Sequence, residues 1–462
     1  MKNCILFFFG FCFFSVGNLI AQNNFENLFN GKDLSGWVQY NGKAKYTVEH
    51  GEIVGRTVAH EPNSFLTTQK EYGDFTLELD FKVDPQMNSG IQFRSELYDS
   101  NDHCEVTDKH TPYRVHGYQM EIDPSARAWS GGIYDEARRG WLYPLEYNVA
   151  AKTAFKNNQW NHYKIEAIGN SIRTWVNGVA CAHIIDNMTP KGFISLQVHA
   201  IENVNDEGQE VRWKNIKIQT KNLKPAQTDN LFVINLIPNT ISPDEQKNGV
   251  RLLWDGVSTK GWRGAGKKTF PDKGWVVKEG VLSIKGSNGR ESNGGGDIVT
   301  VDEFHAFDLQ FEFKITDTAN SGVKYFVTEK ENTGGSAIGL EYQILDDDKH
   351  PDALMGSIGN RTMASLYDLI PALRIGAVRR EKFPIGQWNR GRIIVFPDGK
   401  IEHWINGWKV VEYQRGTQYY YALVAKSKYV GWPNFGMAEK GHILLQDHGT
   451  DVSFRSVKIK EL

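Results

Sequence analysis

The chain states its plan twice, and this bounds the fold before any other feature does. Leu28-Phe29-Asn30-Gly31, followed by Gly36-Trp37, returns as Leu253-Trp254-Asp255-Gly256, followed by Gly261-Trp262. Asn88-Ser89-Gly90 returns as Asn320-Ser321-Gly322, and Gln159-Trp160-Asn161 as Gln387-Trp388-Asn389. Trp175-Val176-Asn177-Gly178 is matched by Trp404-Ile405-Asn406-Gly407, and Gln197-Val198-His199 by Gln446-Asp447-His448. The order is the same in both halves and the spacing is similar, so the repeated unit is a whole domain and not a solenoid turn. The 462 residues hold two such domains, each long enough for its own core. We place them at residues 24–220 and 251–462, joined by a linker over 221–250.

Period-two alternation dominates both halves. Phe75-Thr76-Leu77-Glu78-Leu79-Asp80-Phe81-Lys82 has one apolar and one polar face, and Phe307 to Lys314 is its counterpart. Asn177-Gly178 and Asn406-Gly407 suit two-residue hairpin turns that need positive φ. Neither half contains a long amphipathic helix. An all-β chain of two antiparallel jelly-roll sandwiches follows. In the linker, Ser242-Pro243-Asp244-Glu245 predicts a capped short helix, and the apolar run Phe232 to Ile237 predicts packing against a domain.

The balance of 53 basic against 55 acidic residues argues against nucleic acid or anionic membrane as a partner. Lys2, the apolar run Cys4 to Phe14 and the ending Leu19-Ile20-Ala21 read as a signal peptide over 1–21, too short for a membrane span. Cys12 lacks the small-residue pair expected before a lipidated cysteine, so a lipoprotein is the lesser option. Only Cys104 and Cys181 survive cleavage, too few for a disulfide framework. A periplasmic or secreted protein is expected.

These motifs, with Gly132-Ile133-Tyr134-Asp135 and Gly339-Leu340-Glu341-Tyr342-Gln343, make both halves resemble the 3-keto-disaccharide hydrolase family. The resemblance implies a concanavalin A-like jelly roll in each half. It also implies action on glycosides already oxidised to a ketone at sugar carbon 3. Such a ketone acidifies the proton on carbon 2, so a base can remove it and the carbon 1 aglycone can leave. Water then adds to the enone, giving net hydrolysis. The site needs a base titrating near neutrality and a donor or cation for the enolate oxygen. No Gly-x-Gly-x-x-Gly follows a strand, so oxidation falls to a partner, a glycoside 3-dehydrogenase.

His199 is the first candidate for base or acid, with Gln197 two residues before it on the same strand face. A histidine that only hydrogen-bonds within the sandwich would look the same, in this copy or as His448 in the other. Gln119, Glu121 and Asp123 share one face of a strand; Glu341 and Gln343 hold the corresponding frame with acid and amide exchanged. That row can bind sugar hydroxyls, transfer a proton or, with His199, hold a divalent metal; a solvated sheet face is the bland alternative. No cofactor is certain. Arg94, two residues after Gln92, is placed to stabilise an enolate, against a surface salt bridge; Lys324 and Phe326 occupy those slots in the second copy.

Tyr134 and Tyr367 are the aligned phenols, able to donate to a carbonyl oxygen or simply to pack. Trp141 lacks a second-copy partner and is the better sugar platform. The recurring Trp37, Trp160, Trp175, Trp262, Trp388 and Trp404 read as core, and Asn88-Ser89-Gly90 as a turn. Gln446 pairs with Gln197 as a substrate-binding candidate, and His103, His110 and His116 read as a polar loop. The leading reading is an exported enzyme that cleaves 3-keto-glucosides by elimination, hydration or net hydrolysis. Its competitor is a lectin-like protein without catalysis. A glycosidase of unoxidised sugars using Glu121 and Asp123 is disfavoured, because both lie on one strand and cannot flank a bond.

Overall fold

The computed structural model describes residues 24–99, 113–227, 229–288, 294–329, 337–373, 385–432 and 434–462. The predicted signal peptide, His103, Cys104, His110 and residues 374–382 lie outside the described residues. The chain is all-β, two tandem concanavalin A-like jelly-roll sandwiches, each with a back and a front sheet that are antiparallel but for one edge strand of the first. The first back sheet has nine strands around Phe75–Val83, Asn161–Ile168 and Glu210–Gln219. Its seven-stranded front sheet runs Gly140–Tyr143, Ile133–Glu136, Val115–Ile122, Ser89–Leu97, Phe193–Val198, Ser64–Thr68, Trp37–Asn41. In the second half, an eight-stranded back sheet around Phe307–Ile315 and Val452–Glu461 faces a five-stranded front sheet. That front sheet includes His442–Leu445, Asn320–Thr328 and Ile338–Leu345.

Burial of one strand face fixes the register. Phe75, Leu77, Leu79 and Phe81 point into the first core, while Glu78, Asp80 and Lys82 face outward. Each inward side chain contributes about 1.5–3 kcal/mol, and a one-residue slip would expose all of them at once. The hairpins close where the sequence demands. Val176 pairs with Val179 and Ile405 with Trp408 across two-residue loops. Asn177 (φ 50°), Gly178 (81°), Asn406 (46°) and Gly407 (90°) supply the positive φ that such turns need.

The segment between the halves is bound to both. Ile234–Asn235 adds a parallel edge strand to Val179–Ile185 of the first back sheet. Ser242 caps the short helix Pro243–Lys247, with its hydroxyl on the Glu245 N–H and the Glu245 carboxylate on its own N–H. Glu245 also accepts from Lys458 Nζ at 2.8 Å, a buried ion pair on the last strand of the second half. The halves touch through aromatics: Tyr147 stacks on Phe232 and Trp404, with ring centres 5.0 and 5.7 Å apart, and Trp129 meets Trp408 at 5.0 Å. Gly407 admits this contact, since a Cβ there would come within 2.5 Å of the Pro144 ring.

The recurring tryptophans divide. Trp37 and Trp262 are in the cores as predicted and Trp404 is buried against Tyr147 where the halves meet, whereas Trp160, Trp175 and Trp388 lie on the outer surface of the back sheets. There they are covered by cations, Lys214 at 3.7 Å from Trp160, Lys164 at 4.5 Å from Trp175 and Arg455 at 4.1 Å from Trp388. The core reading is corrected for these three: a lysine or arginine stem shelters an indole as well as a core does.

Candidate active site

The two front sheets bring the repeated motifs together. In the first half Glu121 lies opposite Gly90, Gly90 opposite Gln197, and Gln119 opposite both Gln92 and Tyr134. Ser89 and Gly90 therefore open a strand, with Asn88 just before it, in place of the predicted turn. Each residue has a task. The Asn88 amide donates to Glu121 at 2.8 Å, and the Ser89 hydroxyl donates to the Gln197 carbonyl at 2.7 Å. Gly90 leaves space, since a Cβ there would stand 2.3 Å from the Gln119 side chain. The second copy repeats this: Ser321 donates to the Gln446 carbonyl at 2.8 Å, and a Cβ on Gly322 would come within 2.5 Å of Glu341 Oε1.

Glu121 is the centre of the first face. It is 4% exposed, and accepts from Asn88 and, at 2.7 Å, from Gln119, whose oxygen in turn accepts from Gln92 at 2.6 Å. Burial pushes its pKa up to about 7, against the pull of the Asn88 and Gln119 donors and of Arg127 at 3.6 Å; Asp123 adds to the rise. A carboxyl at this value can take up and release a proton near neutrality. Gln197 lies 1% exposed beside this group, and its buried Oε1 has no hydrogen-bond partner among the described residues.

His199 sits just past the end of its strand. Its Nδ1–H donates to the Ala200 carbonyl at 2.8 Å. Its electrostatic partner is Glu136, whose carboxyl is raised by burial and lowered by Arg114, His199 and Asn63. Glu136 and Asn63 were not singled out from sequence, because only the bent front sheet brings the Ile133–Glu136 strand and the 57–63 loop to His199. Tyr134 stands edge-on to Trp141 at 5.1 Å.

Three sequence assignments are corrected. Arg94 does not share the face of Gln92. The strand bulges there, Arg94 takes φ 43°, and its guanidinium turns to the Gly73 and Gly169 carbonyls and Asp74 at 2.8–3.0 Å. It is 1% exposed and clamps the back-sheet turns. Asp123 spends its carboxylate on its own loop, accepting from Arg127, Ser125 and Trp129. Trp141 is a braced wall and not an open platform: Trp129 meets it edge-on at 4.5 Å and the Arg127 guanidinium lies 4.9 Å over it. With Asp123 occupied, no three His, Cys, Asp or Glu side chains converge as metal ligands among the described residues.

The second face carries other charges in the same frame. Lys324 lies opposite Glu341 with Nζ 4.0 Å away. With its amide in the orientation that satisfies both neighbours, Gln446 joins them, donating to Glu341 and accepting from Lys324, each at 3.3 Å. Gln343 occupies the slot of Glu121 and donates to Asn320 at 3.0 Å, leaving its buried Oε1 without a partner among the described residues. The Tyr367 hydroxyl donates to Asp352 at 2.7 Å, so it is committed to the protein. Arg361 holds Asp352 and Asp368, and Lys428 lies 4.2 Å over the Tyr367 ring. His448 faces the edge of His350 at 6.4 Å. Lys428, Arg361 and Asp352 have no aligned partner in the first half, and a sequence reading guided by the repeat passes over them.

A family profile described as the 3-keto-alpha-glucoside-1,2-lyase-like domain matches residues 24–219 and again 249–460. A 3-keto-disaccharide hydrolase of Bacteroides thetaiotaomicron is 35% identical over 264 residues, covering 53% of this chain and 85% of the relative. A crystal structure from Parabacteroides distasonis, ascribed to a glycosyl hydrolase, is 30% identical with a TM-score of 0.42, covering 49% of this chain and 99% of that one. A second from the same organism is 24% identical with a TM-score of 0.32, covering 44% and 99%.

Proposed function

The chain belongs, in both halves, to the 3-keto-alpha-glucoside-1,2-lyase-like family, and on that premise we propose that its first half cleaves 3-keto-glucosides with Glu121 as the base. The chain is a carbohydrate-active enzyme of the hydrolase or lyase type. The observation that carries the assignment is the near-neutral Glu121, buried on the front sheet between two amide donors. The ketone at carbon 3 makes the carbon 2 proton acidic enough for such a base. Proton removal gives an enolate, and the aglycone departs from carbon 1 with the C1–O electron pair. Water adding to the resulting enone completes a net hydrolysis.

The other groups take supporting roles. Gln197, whose Oε1 lacks a partner among the described residues, accepts from a sugar hydroxyl. His199 and Glu136 form the proton relay toward the aglycone, and Tyr134 is the phenol facing the ketone. A carboxylate pair across the glycosidic bond is not required, which fits an Asp123 already spent on its own loop. The oxidised substrate comes from a separate glycoside 3-dehydrogenase. Export through the 1–21 leader puts the reaction in the periplasm or outside the cell.

Product release from a 3-keto-glucoside and from its unoxidised parent tests this, with and without chelator. Release from the keto sugar alone, lost in Glu121→Gln, is the expected result. Sugar binding without release from either would establish the lectin-like alternative, and a chelator effect would bring in a divalent ion.

A further inference from the structure

The outer faces of the two back sheets differ in how one cation is answered. The repeat aligns Arg390, next after Asn389, with His162, next after Asn161. Each lies opposite an acid on the neighbouring strand, His162 opposite Asp80 and Arg390 opposite Glu312. In the first half the two meet, with His162 Nδ1 at 2.8 Å from the Asp80 carboxylate. In the second, Glu312 is taken elsewhere. It accepts from Arg455 at 2.7 Å and from the Ser456 hydroxyl at 3.0 Å, and Arg390 makes no ion pair among the described residues. Arg390 Nη2 donates to the Trp141 carbonyl of the first half at 3.3 Å, and the buried Nη1 has no partner among the described residues.

Arg390 lines a cavity of about 40 Å³ between the halves, together with Tyr147 of the first half and Phe232 and Asn235 of the linker. A water needs about 10–15 Å³, so the space takes a small ion or a few waters. The other charges around it are matched. Arg392 donates to Asp308 at 2.6 and 2.8 Å, Lys458 to Glu245 at 2.8 Å, and Arg455 to Glu312. With Arg390, four cations meet three carboxylates. An arginine cannot shed its proton, and water offers a covered guanidinium only a dipole, so the site calls for one negative charge.

We propose that this cavity binds one small monovalent anion, of the size of chloride or formate, at Arg390 Nη1. The anion fastens the first half and the linker to the second back sheet, because Arg390 already holds the Trp141 carbonyl from the other side. A divalent anion would overturn the charge balance, and a sugar-sized anion exceeds the volume. The first half needs no such ion, since its histidine answers its own acid.

The test uses the intact chain in sodium chloride, formate and gluconate at equal ionic strength. Chloride and formate are expected to raise the melting temperature by about 2 °C or more over gluconate, which is too large to enter, and to saturate as one site. Arg390→Gln keeps a donor for the Trp141 carbonyl and should lose that difference between salts. Crystals soaked in sodium bromide should show anomalous density for one bromide beside Arg390 Nη1, a reading that stands even if the variant fails to fold. No bromide in the cavity, or an anion effect unchanged in Arg390→Gln, overturns the site and leaves it to water. Equal melting in the three salts with bromide bound overturns the fastening role.

Discussion

The two front sheets offer the same slots to different residues. Gln92, Gln119, Glu121 and Gln197 of the first half become Lys324, Glu341, Gln343 and Gln446 of the second, matched strand by strand. The scaffold groups do not change: a serine hydroxyl ties the strand to the glutamine backbone, and a glycine gives the acid or amide its room. The carboxylate moves by one rung, and its partners change with it. Among amides it is held near neutrality; opposite a lysine it becomes half of an ion pair. Chemistry on this fold is therefore set by which rung carries the charge, while backbone and packing stay the same.

The largest expected effect tests the assignment of the base. Glu121→Gln keeps the shape and one of the two amide contacts but cannot take a proton, so turnover of the keto sugar should fall at least about 100-fold. Full turnover in that variant would move the chemistry to the lysine-bearing half.

The bulge slot comes next. Arg94 should matter for folding alone, as the loss of three hydrogen bonds, to the Gly73 and Gly169 carbonyls and Asp74, in Arg94→Met costs about 3 kcal/mol. Urea denaturation reads that cost, and an unchanged kcat on the remaining folded protein separates a clamp from a catalyst. Phe326 fills the slot in the second half by packing under Arg415 at 3.8 Å.

The pH response of Glu121 has two opposite signs. Below about pH 4.5 the carboxyl is protonated in folded and unfolded chains alike, and it contributes nothing. Between about 4.5 and 7 the unfolded chain ionises first, so stability declines as pH rises, by at most about 3 kcal/mol in total. Activity requires the ionised form and should rise over the upper part of that window. Parallel melting and rate profiles check this, and in Glu121→Gln both dependences should flatten.

The smallest effect concerns contact between the halves. Trp408 braces Trp129, which with Trp141 holds Arg127 beside Glu121. Trp408→Ala should cost about 2 kcal/mol and raise the KM of the first site severalfold while sparing kcat. An unchanged KM would show that the first site stands without its neighbour.

Much of this was legible from particular residues. Glu121, Gln119 and Gln197 were found because alternation puts them on one face and the repeat marks them twice. Arg94 was misplaced because alternation assumes a regular strand, and the bulge at that position turns the side chain to the other side. Asp123 kept the correct face, but its loop supplied nearer partners than any ligand. Glu136 and Asn63 left no local signal, because each reaches the cleft from a strand or loop distant in the chain.

The sequence by itself determined two all-β sandwiches, their hairpin turns and the helix cap between them, since these follow from side-chain period and local backbone preference. Tertiary structure decided which carboxylate is held near neutrality, which arginine is a clamp, and which lysine meets a carboxylate. Those depend on burial and on distances between segments far apart in the chain, and electrostatic energy is governed by both.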